Sequence, residues 1–243
     1  MTRGTAGRRL LGLGLGLGLV LVPASAWAGA LAPLAGAPGA APDAPWTFAG
    51  LPRQTIPATR FTIEHQDGQP TLRIQAAGSY GNLLHPLADV AAGQLSWRWR
   101  VDQPLAAPDL RTRAGDDVAL KVCALFGMPL AAVPFLERQL LRLAEARTGQ
   151  TLPTATLCYA WDPSWPPDTV LPNAYTRRVR TITLGGTPGT WSRVRRDLAA
   201  DFVRAFGDET RTVPPLRAIG VGADADNTGG TSLGYLADLQ LEP

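Results

Sequence analysis

The sequence predicts a mainly β chain: an antiparallel β-sandwich, a jelly roll or a related sandwich. It adds a helical insertion near 128–150 and a short helix at 197–206. Three observations point there. Apolar residues recur with period two in about nine segments. Gly, Pro and Asp turns separate these segments, and helices mostly do not, which argues against a parallel α/β sheet. The composition is globular, with 243 residues, 45% hydrophobic and 18% charged, enough for one domain with a sizeable core.

Phe61 and Ile63 alternate with Thr62 and Glu64 in the first segment. Leu72, Ile74 and Ala76 alternate with Thr71, Arg73 and Gln75. Leu95, Trp97, Trp99 and Val101 face one way, which turns Ser96, Arg98 and Arg100 the other way. Val118, Leu120, Val122 and Ala124 leave Lys121 and Cys123 on the opposite face. Segments 156–161, 178–184, 190–196, 217–223 and 231–241 complete the set. Two stretches change to helical spacing. Pro134–Arg147 sets Leu136, Leu140 and Leu143 on one stripe, opens with Pro and is followed by Gly149. In the shorter one Asp197 is the cap, Leu198, Phe202, Ala205 and Phe206 share a face, and Gly207 ends it.

Residues 1–28 read as a signal peptide. Arg3, Arg8 and Arg9 start it, Leu10–Val22 is its apolar run, and Ala24-Ser25-Ala26 and Ala26-Trp27-Ala28 fit cleavage sites. The run is short of the roughly 20 residues a membrane span needs. The Arg8–Arg9 pair hints at twin-arginine export, but its surroundings match that signal poorly and favour the general secretory route. Removing this segment leaves 20 basic and 20 acidic groups. A nucleic-acid partner is therefore not expected. Residues 29–45 are mostly Ala, Pro and Gly with Asp43 the single charge, and read as a flexible linker. Residues 46–243 are the expected sandwich domain, and the expected location is periplasmic or secreted.

Five strings occur in order: Ser96-Trp97-Arg98-Trp99-Arg100-Val101, Ala114-Gly115-Asp116-Asp117, Pro172-Asn173-Ala174-Tyr175-Thr176, Asp197-Leu198-Ala199-Ala200-Asp201-Phe202, and Asp224-Ala225-Asp226-Asn227-Thr228-Gly229-Gly230. Together they resemble the bacterial family known as domain of unknown function 3047, over roughly residues 60–242. The resemblance implies a secreted envelope protein. It implies no activity and no catalytic residues. The ending Gly234–Leu241 is also similar to the last strand of jelly-roll carbohydrate-binding modules.

Several residue sets are candidates for binding. Outward-facing Arg98 and Arg100 share a phase with Arg73, Lys121 and Asp238. They form either a polar groove for an anionic or sugar ligand or a solvated face paired with Glu64, Asp116 and Asp238. Trp161 and Trp165 flank Asp162-Pro163-Ser164. Trp165 either stacks on a sugar or covers a core edge. Asn173, Tyr175 and Arg177 make a second polar, aromatic loop or a plain turn. Asp116, Asp117, Asp224, Asp226 and Asp238 supply carboxylates that a glycosidase would use in pairs; Asp116-Asp117 also suits a turn entering a strand. Asp224, Asp226 and Asn227 offer oxygen ligands that suit Ca²⁺, without the Glu that completes an EF-hand loop. An Asx-turn is the alternative there. No other cofactor is expected. His65 and His85 are the two histidines and lie far in sequence from both cysteines, which gives zinc poor support. Neither a G-x-S-x-G elbow nor a phosphate-binding glycine loop stands in the right context.

Cys123 and Cys158 are the two cysteines. Export leads to an oxidising compartment, and both occupy the same phase on predicted strands, so a disulfide forms if those strands are neighbours. Two buried free thiols are the alternative. The leading expectation is an exported, non-catalytic module binding carbohydrate or another polar ligand. The alternatives are a carbohydrate-active hydrolase or lyase, and an envelope assembly factor whose insertion helix docks a protein partner.

Overall fold

The structure, a computed structural model, describes residue 1 and residues 31–66, 68–149 and 152–242. The expected signal peptide and its cleavage sites lie outside the described residues beyond Met1. Among the described residues twelve strands form two sheets, the architecture of a jelly-roll-like sandwich. One sheet runs in the order β1 (Thr47–Ala49), β4 (Tyr80–Val90), β11 (Leu216–Asp224), β6 (Val118–Phe126), β7 (Ala155–Trp161), β9 (Val179–Leu184) and β8 (Val170–Pro172). The other runs β10 (Ser192–Asp197), β5 (Gln94–Gln103), β12 (Thr231–Glu242), β3 (Gln69–Ala77) and β2 (Arg60–Gln66). The helices are α1 (Phe135–Thr148) and α2 (Leu198–Phe206).

Trp97 and Trp99 point inward, as their phase predicts, and both are buried. Trp97 meets Tyr159 of the facing sheet at 5.4 Å between ring centroids. Asp197 caps α2 by accepting a hydrogen bond from the Ala200 N–H at 3.0 Å. Phe202 and Phe206 of that helix enter the same core. Gly149 ends α1 in a left-handed conformation, φ 69°, which glycine adopts without a Cβ clash. Cys123 and Cys158 stand directly opposite each other on β6 and β7 and are joined by a disulfide.

The structure departs from the sequence reading in four places. Strands β1, β4 and β8 have no clear period-two signal. In β4 the buried alternate positions are Gly81, Leu83 and His85, so the apolar alternation is hidden. Pro86 is accommodated beside the bulge where β11 shifts register. The sheets are not wholly antiparallel, because β7 and β9 pair in parallel. Parallel neighbours require the chain to travel back between them, and residues 162–178 make that return. Residues 31–45 are not a free linker. Leu31 joins the core, Ile63 N–H donates to the Ala40 carbonyl at 2.7 Å, and the Trp46 indole donates to the Ala32 carbonyl at 3.0 Å. Lys121 does not share a face with the arginines: it lies on the seven-stranded sheet and they lie on the other.

Candidate functional site

The end of β11 lies beside the start of β6, with Asp224 opposite Val118. That pairing brings the turn after β11 against the turn before β6, and so unites two acidic motifs about a hundred residues apart in sequence. Asp117 is 1% exposed. Its Oδ1 accepts from the Asn227 backbone N–H and Nδ2, both at 3.1 Å. Its Oδ2 accepts from the Thr228 N–H at 2.7 Å and hydroxyl at 2.6 Å. A carboxylate has about four lone-pair sites, and these four donors occupy them. The 173–175 loop closes over the same corner. Asn173 Nδ2 donates to Asp116 Oδ2 at 2.6 Å, and the Tyr175 hydroxyl donates to Asn227 Oδ1 at 2.7 Å.

Beneath this lid, Asp224 accepts from the Val118 N–H at 2.9 Å and from Lys121 Nζ at 2.8 Å. Gly222 stands opposite Lys121, where a Cβ would come within 2.3 Å of Asn82 Oδ1. Burial raises the Asp116 carboxyl to about 6, with the Asp224 charge adding to the effect and the Asn173 hydrogen bond opposing it. Burial likewise raises Asp224, against the pull of Lys121. Asp226 is raised by burial and then by the Asp224 and Asp117 charges. Burial would lower Lys121, but the adjacent Asp224 carboxylate outweighs it and holds the ammonium above its ordinary value.

The Asp117, Asp224 and Asp226 ligand atoms lie within 4.8 Å of one another, a cluster that could hold a cation. Lys121 already brings positive charge to Asp224, and Asp117 is saturated by its four donors. Asp226 Oδ1 is buried without a hydrogen-bond partner among the described residues.

Asp117 also lines a cavity of about 250 Å³. Pro104–Pro108, Trp161, Asp162 and Ser164 contribute to its walls. Asp162 is 3% exposed. Its Oδ1 accepts from the Ser164 N–H at 2.7 Å, while Oδ2 is buried and has no partner among the described residues. Sequence reasoning placed two tryptophans around Asp162 and passed over the aspartate itself. An Asp-Pro-Ser turn was the available signal, because Asx-turns aim a carboxylate oxygen at the backbone two residues on.

The structure gathers Asp116, Asp117, Asn173, Tyr175, Asp226 and Asn227 into this corner. Trp165 borders it and covers a satellite cluster of Leu110, Val118, Ala160 and Leu171, with Arg111 stacked on its ring at 4.9 Å. Trp161 is core, as the end of a strand should be. Arg177 lies elsewhere, 3.0 Å from Asp208. Arg98 and Arg100 are on the five-stranded sheet and do not join the corner. Arg98 pairs with Asp238 and stacks on Trp191, and Arg100 pairs with Asp102 and stacks on Tyr235. Both arginines are paired within their own sheet, and Asp116, expected as one of their partners, lies in the corner instead.

Comparison with curated proteins finds no match. Among solved structures, the chain is similar to the carbohydrate-binding module TmCBM61 in complex with β-1,4-galactotriose, with a TM-score of 0.34 and 8% identity over 82% of this chain and 90% of that one. It is similar to the family GH12 endoglucanase 3 of Trichoderma harzianum, with a TM-score of 0.38 and 8% identity over 81% and 99% of the two chains. It is also similar to the xyloglucanase domain of NopAA from Sinorhizobium fredii in complex with cellobiose, with a TM-score of 0.40 and 6% identity over 82% and 97%. Likenesses this remote carry no inference about activity. The sequence itself matches the family model described as protein of unknown function (DUF3047) over residues 44–240, most of its length, and the chain belongs to that family.

Proposed function

We propose that the chain is an exported, non-catalytic module that binds a hydroxyl-rich ligand, a carbohydrate, in the cavity beside Asp162. The observation that supports this is the mixed lining: prolines and Trp161 together with two carboxylates, of which Asp162 keeps a buried oxygen with no hydrogen-bond partner among the described residues. A sugar ring has the complementary chemistry. Its C–H face gains by leaving water against apolar walls, and its hydroxyls donate to a carboxylate, which can only accept. A space of about 250 Å³ corresponds to roughly eight water molecules, room for one sugar ring or the end of a chain.

The same observation favours binding over hydrolysis. A glycosidase needs two carboxyl groups free to act on the bond. In this cavity Asp117 is consumed by Asn227 and Thr228, which leaves Asp162.

A glycan array followed by calorimetric titration tests the reading, with and without Ca²⁺. Asp162→Asn puts a donor where the acceptor stands. It should weaken glycan binding at least about tenfold, a change of roughly 1.4 kcal/mol, with the thermal midpoint unchanged. Binding indifferent to Asp162→Asn would reject this site, and release of new reducing ends from the bound glycan would reject the non-catalytic role.

A further inference from the structure

We infer that the outer face of α1 is a docking surface for an anionic lipid bilayer, on which the helix lies flat. The apolar stripe read from the sequence does not pack on the sandwich. Phe135, Leu136, Leu140 and Leu143 are 65%, 73%, 60% and 47% exposed. These are four of the largest exposed apolar side chains among the described residues, and they lie on one helix of 14 residues. At 100° per residue they fall on a single continuous arc with Arg142 and Arg147, and both arginines are also exposed.

Arg142 and Arg147 lie on the arc, while Arg138 lies on the other side with the acids. The acids of α1 turn away from the arc. Glu137 lies 3.4 Å from the guanidinium of buried Arg178, and Glu145 accepts from the Leu152 N–H at 3.0 Å. The outer arc thus carries large apolar groups and cations with no carboxylate among them. That combination matches an anionic interface, where apolar side chains enter the acyl boundary and arginines meet phosphates. It does not match a second copy of the chain, since two-fold pairing of this face would set arginines against arginines with no acid to neutralise them. No described helix is long and apolar enough to cross a membrane. Surface attachment is the mode its dimensions allow.

The test places its reporter on α1, so that the signal reads this helix and not the leader expected at residues 1–28. Both native cysteines are in the disulfide, so Ala146→Cys, an exposed position on the arc, takes an environment-sensitive fluorophore specifically. Phosphatidylcholine vesicles with and without phosphatidylglycerol are titrated into the full-length labelled protein. The expected result is a blue shift with the anionic vesicles that weakens with added salt. Leu136→Glu plus Leu140→Glu should abolish it. Arg142→Gln and Arg147→Gln should each weaken partitioning roughly fivefold, and they keep the test valid should the glutamate pair disturb the helix. No shift with anionic vesicles overturns the inference, as does an equal shift with phosphatidylcholine alone. A shift that follows protein concentration without lipid overturns it in favour of self-association.

Discussion

Two clusters of paired charge occupy opposite sheets, and their contact distances are similar. On the five-stranded sheet Arg98 meets Asp238 at 2.5 Å and Arg100 meets Asp102 at 2.5 Å. In the acidic corner Lys121 meets Asp224 at 2.8 Å. Their surroundings differ. The Arg98 and Asp238 side chains are 24% and 52% exposed, while those of Lys121 and Asp224 are 12% and 8% exposed. Water competes for each partner in the first cluster, so a pair there contributes about 0–1 kcal/mol. In the second, each group relies on its partner to replace lost hydration, and removing one strands the other. Burial, rather than contact distance, separates a solvated decoration from a joint that holds three chain segments together.

The contrast is most directly broken at Lys121. Lys121→Met should cost about 3–5 kcal/mol, because it leaves the buried Asp224 carboxylate without its cation. Denaturant unfolding measures this, and a loss under about 1 kcal/mol would place the corner in the same class as the arginine face. Part of the loss should return on acidification, since burial already raises the Asp224 carboxyl and a proton can stand in for the ammonium.

Asp116 sharpens the comparison through pH. Its carboxyl is raised from 3.8 to about 6. Between those values the native protein keeps a proton that the unfolded chain has released. Its contribution to stability is therefore full below the unfolded value and is lost as pH rises through about 6. Asp116→Asn should remove that slope. Allowing for its partial contact with water, the gain at pH 7 is about 1–2 kcal/mol, with no change near pH 3. Thermal unfolding across this range checks it, and an unaltered slope would show that Asp116 is not the group responsible.

The smallest effect is expected on the arginine face. Arg98→Ala and Arg100→Ala should each cost about 1 kcal/mol or less and leave glycan affinity unchanged. A larger loss, or weakened binding, would return a functional role to that sheet.

Much of this contrast was readable before the structure, but not all of it. Period two gave the inward phase of Trp97 and Trp99 and hence the outward phase of Arg98 and Arg100. Phase assigns a face and not a sheet, so phase alone groups Lys121 with the arginines. The motifs around Asp116, Asn173 and Asp226 each carried turn chemistry. Their convergence depends on β6 pairing with β11 and on the 162–178 return, which are long-range facts with no local signature. Spacing revealed the Leu136, Leu140 and Leu143 stripe, yet periodicity cannot say whether a stripe faces protein or something else. The alanines and prolines of 31–45 look like a tether by composition. Their backbone hydrogen bonds to Ile63, and the bond that Ala32 receives from Trp46, are invisible at that level.

The disulfide gives the molecule a mechanical property. α1 is attached to the sandwich through β6 on one side and β7 on the other, so a pull on the helix would unzip those strands from their α1 end. Three pairs can part, Phe126 from Ala155, Leu125 from Thr156 and Ala124 from Leu157. The fourth pair is Cys123 with Cys158, where the link is covalent. Lys121 opposite Ala160 lies two pairs further on. Tension entering at the insertion therefore cannot part β6 from β7 beyond Cys123 and Cys158 while that bond is intact.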